Sequence, residues 1–214
     1  MSIVVLVCIG IFAAQVIVPL PYERWGLSGV ALSQGRYETI FTNLFMHAGV
    51  LHLLSNVIAY LAVAPVVCAR FGTRLSGQIS FHAFFLLCGL AGAGTFLALN
   101  PQGDIPVVGA SGAIYGLFAA LYRLDMDKDE LNKPFSKRVL AGWKWMVISN
   151  LVLVFYFGGV ATMLEILEGN PAPLRIPIAW ECHAGGFIAG IVLAGLMIRK
   201  GWDDDWRGGN TPDD

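Results

Sequence analysis

The sequence predicts an all-α membrane protein, a bundle of six transmembrane helices, and three observations carry that expectation. Of 214 residues, 56% are hydrophobic and only 14% are charged, whereas soluble domains carry about 25% charged residues and less than half apolar. The charges leave six long apolar stretches, and because each charge inside hydrocarbon costs several kcal/mol, such stretches mark the lipid. Six spans of about 20 residues, enough to cross ~30 Å of hydrocarbon, would use about 120 residues and leave only short loops. One membrane domain over residues 1–200 is therefore expected, with 201–214 as a tail. A transmembrane barrel would need short alternating strands instead of continuous apolar runs. With 14 Lys+Arg against 15 Asp+Glu, the chain lacks the basic charge that nucleic-acid phosphates attract, so no nucleic-acid partner is expected.

The first span, near 3–20, lacks a basic start, and its end, Val18-Pro19-Leu20-Pro21, lacks a small-residue cleavage pattern. It reads as a retained helix and not as a secretory signal. Residues 21–49 form a long external segment, with Tyr22, Trp25 and Tyr37 suited to the interface and Gly26, Gly29 and Gly35 breaking helix. The second span runs near 50–69 and the third near 77–99, followed by the turn Asn100-Pro101-Gln102-Gly103. The fourth is expected near 105–124. A fifth, near 144–165, carries Trp143, Trp145, Phe155, Tyr156 and Phe157, read as interface anchors and lipid-facing bulk. After the turn at Asn170-Pro171-Ala172-Pro173 comes the sixth, near 178–198, and the acidic, glycine-bearing residues 203–214 read as disordered. Cys8, Cys68, Cys88 and Cys182 fall in or beside spans, where cysteine serves as a small apolar packer.

Cytoplasmic loops collect Lys and Arg, so the basic residues set orientation. Eleven (Arg70, Arg74, Arg123, Lys128, Lys133, Lys137, Arg138, Lys144, Arg199, Lys200 and Arg207) fall on one side, against Arg24, Arg36 and Arg175 on the other. Both termini are expected to be cytoplasmic, with spans two, four and six running inward from the outer surface.

Strongly polar residues inside spans need internal partners and invite a functional reading. Three clusters meet that description: His47 to Asn56 (HAGVLHLLSN) opening the second span, Gly109 to Gly116 (GASGAIYG) in the fourth, and His183 to Gly190 (HAGGFIAG) in the sixth. All lie near the outer ends of their spans. Ser111 is seven residues after Asp104 and His183 six after Pro177, so at ~1.5 Å per helical residue both would sit roughly 10 Å down. Residues three, four or seven apart share a helix face, which pairs His52 with Asn56 and Ser111 with Tyr115. Gly112 with Gly116, and Gly186 with Gly190, are GxxxG pairs that permit close approach of membrane helices. They would bring spans four and six together, so that Ser111 meets His183. A serine hydroxyl bonded to an imidazole is a nucleophile with its base. Glu181 points to nearly the opposite face from His183, so a dyad is expected, oriented by packing against Tyr115. The backbone N–H of Ser111 and the side chains of Asn56 and His52 would supply oxyanion donors.

These residues resemble the rhomboid family of intramembrane serine proteases. The resemblance rests on His52 and Asn56 in HLLSN, Ser111 in GASGAIYG and His183 in HAGGFIAG, and covers about residues 39–198. It implies that Ser111 is the nucleophile and His183 the base, that Asn56 and His52 help form the oxyanion site, and that Tyr115 supports the base, with Gly109 in the same supporting set. It also implies a substrate that is another protein's transmembrane helix, entering between spans two and five. Small size and the lack of a transit peptide lead us to expect the plasma membrane of a bacterium. No metal or organic cofactor is expected. The family's Trp-Arg pair in the first external loop is replaced here by Glu38-Thr39, with Arg36 and Trp25 the candidates to take its place.

Blander readings stand beside these. Ser111 alone would be a small packing residue, and His183 alone a satisfied buried histidine. His47 is read as bracing the first loop, and His82 as a polar packing residue. A non-proteolytic rhomboid-like escort of membrane proteins is the alternative function. A small transporter or proton channel using His52 and His183 is disfavoured by the absence of repeats and of acidic span interiors. A zinc site of His47, His52 and His183 is disfavoured because no HExxH pattern exists.

Overall fold

The computed structural model describes residues 2–18, 20–126, 130–155 and 178–198. The helices in chain order are α1 (Ser2–Ile17), α2 (Tyr22–Trp25), α3 (Gly29–Ser33), α4 (Thr39–Thr42), α5 (Val50–Ala69), α6 (Leu75–Leu99), α7 (Ser111–Arg123), α8 (Lys137–Leu153) and α9 (Trp180–Met197). Between α7 and α8, the two-residue strands β1 (Leu124–Asp125) and β2 (Glu130–Leu131) pair antiparallel. Helices α5, α6 and α9, of 20, 25 and 18 residues, are long and apolar enough to cross a membrane. Helices α1, α7 and α8 are shorter, at 16, 13 and 17 residues.

The fourth predicted span differs most from its expectation. Residues 105–110 are not helical, and the helix starts at Ser111. Val107 instead exchanges two backbone hydrogen bonds with Leu27 of the first loop (3.0 and 2.8 Å), and Gly109 N–H donates to the Asn43 carbonyl (2.8 Å). Backbone groups that would have closed a helical turn are thus satisfied by the loop. A rise of 1.5 Å per residue counted from Asp104 therefore does not apply to Ser111. The fifth expected span starts earlier than residue 144, since α8 begins at Lys137, where the Ser136 hydroxyl caps it by accepting from Val139 N–H. The remainder of that expected span, with Tyr156 and Phe157, lies outside the described residues, as do Lys128, Arg175, Arg199, Lys200, Arg207, the turn at 170–173 and the tail. Trp143 and Trp145 face the bundle instead of lipid: Trp143 packs edge-on against Phe187 and Trp145 against Tyr115 and Phe118. Phe155 is exposed.

Helix α7 occupies the centre, packed against α5, α6, α8 and α9, and most of its side chains are buried. Its contact with α9 is backbone on backbone. A Cβ at Gly186 or Gly190 would run into the main chain of Gly112 or Gly116 respectively, and one at Gly116 would meet the Cys88 side chain. Small residues at these positions let the helices approach and gain dispersion contacts that bulkier residues would forbid. Around this centre lies a core including Tyr60, Phe81, Phe84, Phe85, Cys88 and Leu117. Cys8, Cys68, Cys88 and Cys182 are free thiols. The outer faces are apolar, with Leu51, Leu54 and Ile58 on α5, Val147, Leu151 and Val152 on α8, and Val192 and Leu196 on α9 all exposed, while Asn56, Arg123, Asn150 and His183 are buried. An apolar outside, with the polar side chains of the spans turned inward into the core, is the distribution that hydrocarbon solvent selects.

The first loop is braced by hydrogen bonds at the position where Glu38-Thr39 occur. Thr42 Oγ1 donates to the Trp25 carbonyl (2.7 Å), Arg36 Nη1 to the Arg24 carbonyl (2.9 Å), and Thr39 Oγ1 to the Arg36 carbonyl (2.7 Å). Glu38 pairs with Arg24 at 3.6 Å, and the Arg24 guanidinium stands over the Trp25 ring.

Candidate active site

Three helices bring their first turns to one end of the bundle, so that His52 is the third residue of α5, Ser111 the first of α7 and His183 the fourth of α9. Ser111 Oγ lies 2.8 Å from His183 Nε2. The imidazole is buried, and Tyr115, one turn along α7 from Ser111, stacks flat against it with ring centroids 4.3 Å apart and planes within 13°. Ser149 Oγ donates to the Met146 carbonyl and so is left to accept from the Tyr115 hydroxyl at 2.8 Å. The far nitrogen of the imidazole, Nδ1, lies 2.6 Å from Asn150 Oδ1. Glu181 does not reach this ring and accepts instead from Asn100 Nδ2 (3.2 Å).

His52 and Asn56 stand beside Gly109, two residues ahead of Ser111. Asn56 Nδ2 donates to the His52 carbonyl (2.9 Å) across one turn of α5. Gly109 fills the narrow space beside them: its φ is +117°, which L side chains rarely adopt, and a Cβ there would lie 2.7 Å from His52 Nε2. Because Ser111 opens α7, its own N–H belongs to the helical first turn, whose donors have no intrahelical acceptor. The positive end of the helix dipole also points at this spot. His47, with its ring 5.2 Å from that of His52, is held by Gln15 of α1, which donates to its carbonyl (3.0 Å) and accepts from its N–H (3.1 Å). His82, in the first third of α6, hydrogen-bonds the Gln78 carbonyl (2.6 Å) and packs edge-on against Phe81. Among the described residues, no three His, Cys, Asp or Glu side chains are grouped so as to hold a metal ion.

A family model for the rhomboid domain matches residues 34–200, which is most of the chain and includes His52, Asn56, Ser111, Tyr115, Asn150 and His183. The chain belongs to the rhomboid family. Among its relatives, RHOMBOID-like protein 1 of Arabidopsis thaliana is 27% identical over 186 residues, covering 85% of this chain and 40% of that protein. An uncharacterized protein of Mycobacterium tuberculosis, Rv1337, is 28% identical over 193 residues, covering 87% of this chain and 70% of its own length. Rhomboid protease GluP of Bacillus subtilis is 31% identical over 90 residues, covering 42% of this chain and 16% of that protein. The chain spans less than half the length of the Arabidopsis relatives it matches. Family and apolar helices together make this rhomboid chain an integral membrane protein.

Sequence reasoning missed Asn150, Ser149 and Gln15. The first two form a polar pair in an otherwise apolar stretch of α8, which is the signal that marked His52 and Ser111 and was available here too. Gln15 sits near the end of α1, where an isolated polar residue beside a loop carries little information.

Proposed function

We propose that this chain is an intramembrane serine endopeptidase that hydrolyses peptide bonds in or near transmembrane helices of other membrane proteins. One observation carries the reading: a serine hydroxyl 2.8 Å from a buried imidazole that is flanked on its face by Tyr115. As Ser111 Oγ attacks a substrate carbonyl, its proton passes to His183 Nε2 and a tetrahedral intermediate forms. The negative oxygen is stabilised by the Ser111 N–H at the start of α7 and by donors from Asn56 and His52. Collapse breaks the C–N bond, and the imidazolium returns its proton to the departing amine. A water molecule then repeats the sequence on the acyl-enzyme, with His183 taking the water's proton and returning one to Ser111. Gly109 and Tyr115 support the site, while Gly112, Gly116, Gly186 and Gly190 keep α7 against α9.

The proposal extends to a single six-span domain over residues 1–200, a tail at 201–214, cytoplasmic termini and residence in a bacterial inner membrane. A transmembrane helix would need to unwind locally at its cleaved bond, since an intact helix hides its amides. A fluorophosphonate reagent should label the purified protein in lipid, and Ser111→Ala and His183→Ala should abolish labelling and cleavage of a single-span test substrate. Labelling that survives Ser111→Ala refutes the assignment. A folded wild type that neither labels nor cuts, yet retains single-span clients, would point to the escort function.

A further inference from the structure

The contact between Asn150 and His183 fixes more than a position. Asn150 is buried near the C-terminal end of α8, and its amide has two ends with opposite hydrogen-bonding character. Nδ2 donates to the Met146 carbonyl at 2.8 Å and also approaches Met146 Sδ at 3.5 Å. A carbonyl only accepts, so the amide nitrogen must face Met146, and the orientation of the group follows from its own helix. Oδ1 is then the atom 2.6 Å from His183 Nδ1. An amide oxygen also only accepts, so Nδ1 must carry the proton. In a neutral imidazole the second nitrogen then bears the lone pair. That nitrogen is Nε2, the one 2.8 Å from Ser111 Oγ.

We propose that Asn150 is a positioning residue of the reaction, holding His183 through Nδ1–H···Oδ1 in the tautomer and orientation that let Nε2 receive the Ser111 proton. This rests on the protease reading above. Throughout the cycle the Nδ1 proton stays on His183; only the Nε2 proton moves, from Ser111 to the leaving amine. The site is therefore a set of three hydrogen-bonded groups from α7, α9 and α8, of which Asn150 orients and the other two exchange a proton. An asparagine fills the same place in Cys-His-Asn hydrolases. A neutral amide orients the ring without placing a carboxylate among apolar helices, where an unneutralised charge is costly. Ser149 reinforces the arrangement, because it takes the Tyr115 hydroxyl (2.8 Å) while Tyr115 covers the face of the ring whose edge Asn150 holds.

The test uses the full chain in proteoliposomes, with steady-state cleavage of a quenched single-span peptide and the rate of fluorophosphonate labelling as readouts. Leucine matches asparagine in shape but accepts no hydrogen bond. Asn150→Leu should lower kcat and the labelling rate by about 10- to 100-fold, a part of the 10²–10⁴-fold that a positioned base contributes, and leave KM within about twofold. Asn150→Asp restores the acceptor and, as the neutral acid that its apolar surroundings favour, keeps a donor toward the Met146 carbonyl; it should recover most of that loss. If leucine disturbs folding, as read by thermal unfolding, Asn150→Ala removes the acceptor without adding bulk and should show the same split. Wild-type kcat in a folded Asn150→Leu or Asn150→Ala variant overturns the proposal. So does an equal loss in Asn150→Asp, or a loss confined to KM, since either would mean that the residue serves packing. In all of these cases the wild type still labels and cuts; a wild type that does neither removes the protease reading itself.

Discussion

The sharpest demand this architecture makes concerns Gly186. The α7–α9 contact is so close there that a methyl group would sit against the Gly112 carbonyl oxygen and 2.7 Å from its carbon. Carbon atoms in van der Waals contact stand about 3.5–4.0 Å apart, so Gly186→Ala must separate the two backbones by about 1 Å. Neither partner is a flexible side chain that could swing aside. The helices would part within a turn of Ser111 and His183, and their 2.8 Å hydrogen bond would open to a separation at which no bond remains. Misplacement of reacting groups by about 1 Å can cost ~100-fold in rate, and overpacking typically costs about 1–3 kcal/mol of stability. Wild type and Gly186→Ala should be compared by fluorophosphonate labelling rate, cleavage of a single-span peptide and thermal unfolding in detergent. Gly94→Ala serves as control, because an added Cβ there meets nothing within 4 Å; its labelling and stability should match wild type to within about 0.5 kcal/mol. A Gly186→Ala protein with wild-type labelling and an unchanged melting temperature would show that the α7–α9 approach does not set the Ser111–His183 distance.

Other substitutions probe the surrounding supports. Gly109→Ala places a Cβ 2.7 Å from His52 Nε2 on a backbone at φ +117°; labelling should fall at least about tenfold, by displacing donors of which one is worth up to ~10²–10³ in kcat, and equal labelling rates would refute that. Tyr115→Phe removes one hydrogen bond, at a cost of about 0.5–1.5 kcal/mol in unfolding free energy, with labelling close to wild type, while Tyr115→Leu also loses the imidazole stack and should slow labelling several-fold further. Similar labelling by the Leu and Phe variants would show the stack to be dispensable. His47 lies in the loop ahead of α5, outside the spanning helices, and burial, aided by the neighbouring His52, pushes its pKa down from 6.5 to about 4 against the opposing pull of the Phe45 carbonyl. Between those values the unfolded chain binds a proton that the folded chain does not, so stability present above pH 6.5 is lost as pH falls toward 4, on the order of 3 kcal/mol in full. Melting temperature should therefore drop from pH 7.5 to 4.5 in wild type and drop less in His47→Gln; parallel slopes would count against it.

Much of the site was legible because its residues are short-range regularities set against an apolar background. His52 with Asn56 and Ser111 with Tyr115 stand four apart, and each stands out because hydrocarbon has no use for polar side chains. The paired glycines of α7 and α9 pointed to a backbone contact for the same reason, since close approach leaves a sequence spacing behind it. Composition and the length of the apolar runs determined a helical membrane protein whose few polar span residues turn inward. What they left undecided was where α7 begins. An apolar run is compatible with either helix or extended chain, and the choice at residues 105–110 was made by hydrogen bonds to Leu27 and Asn43, far away in sequence. That choice puts Ser111 on a helix N-terminus, with an N–H that has no intrahelical acceptor and the positive end of a dipole beside its hydroxyl. Asn150 and Gln15 belong to the tertiary structure for a related reason: each acts through a partner 33 or 32 residues away, and no local periodicity records which distant group an amide will meet. The sequence determined which side chains hydrocarbon would force inward; only packing decided which of them would touch.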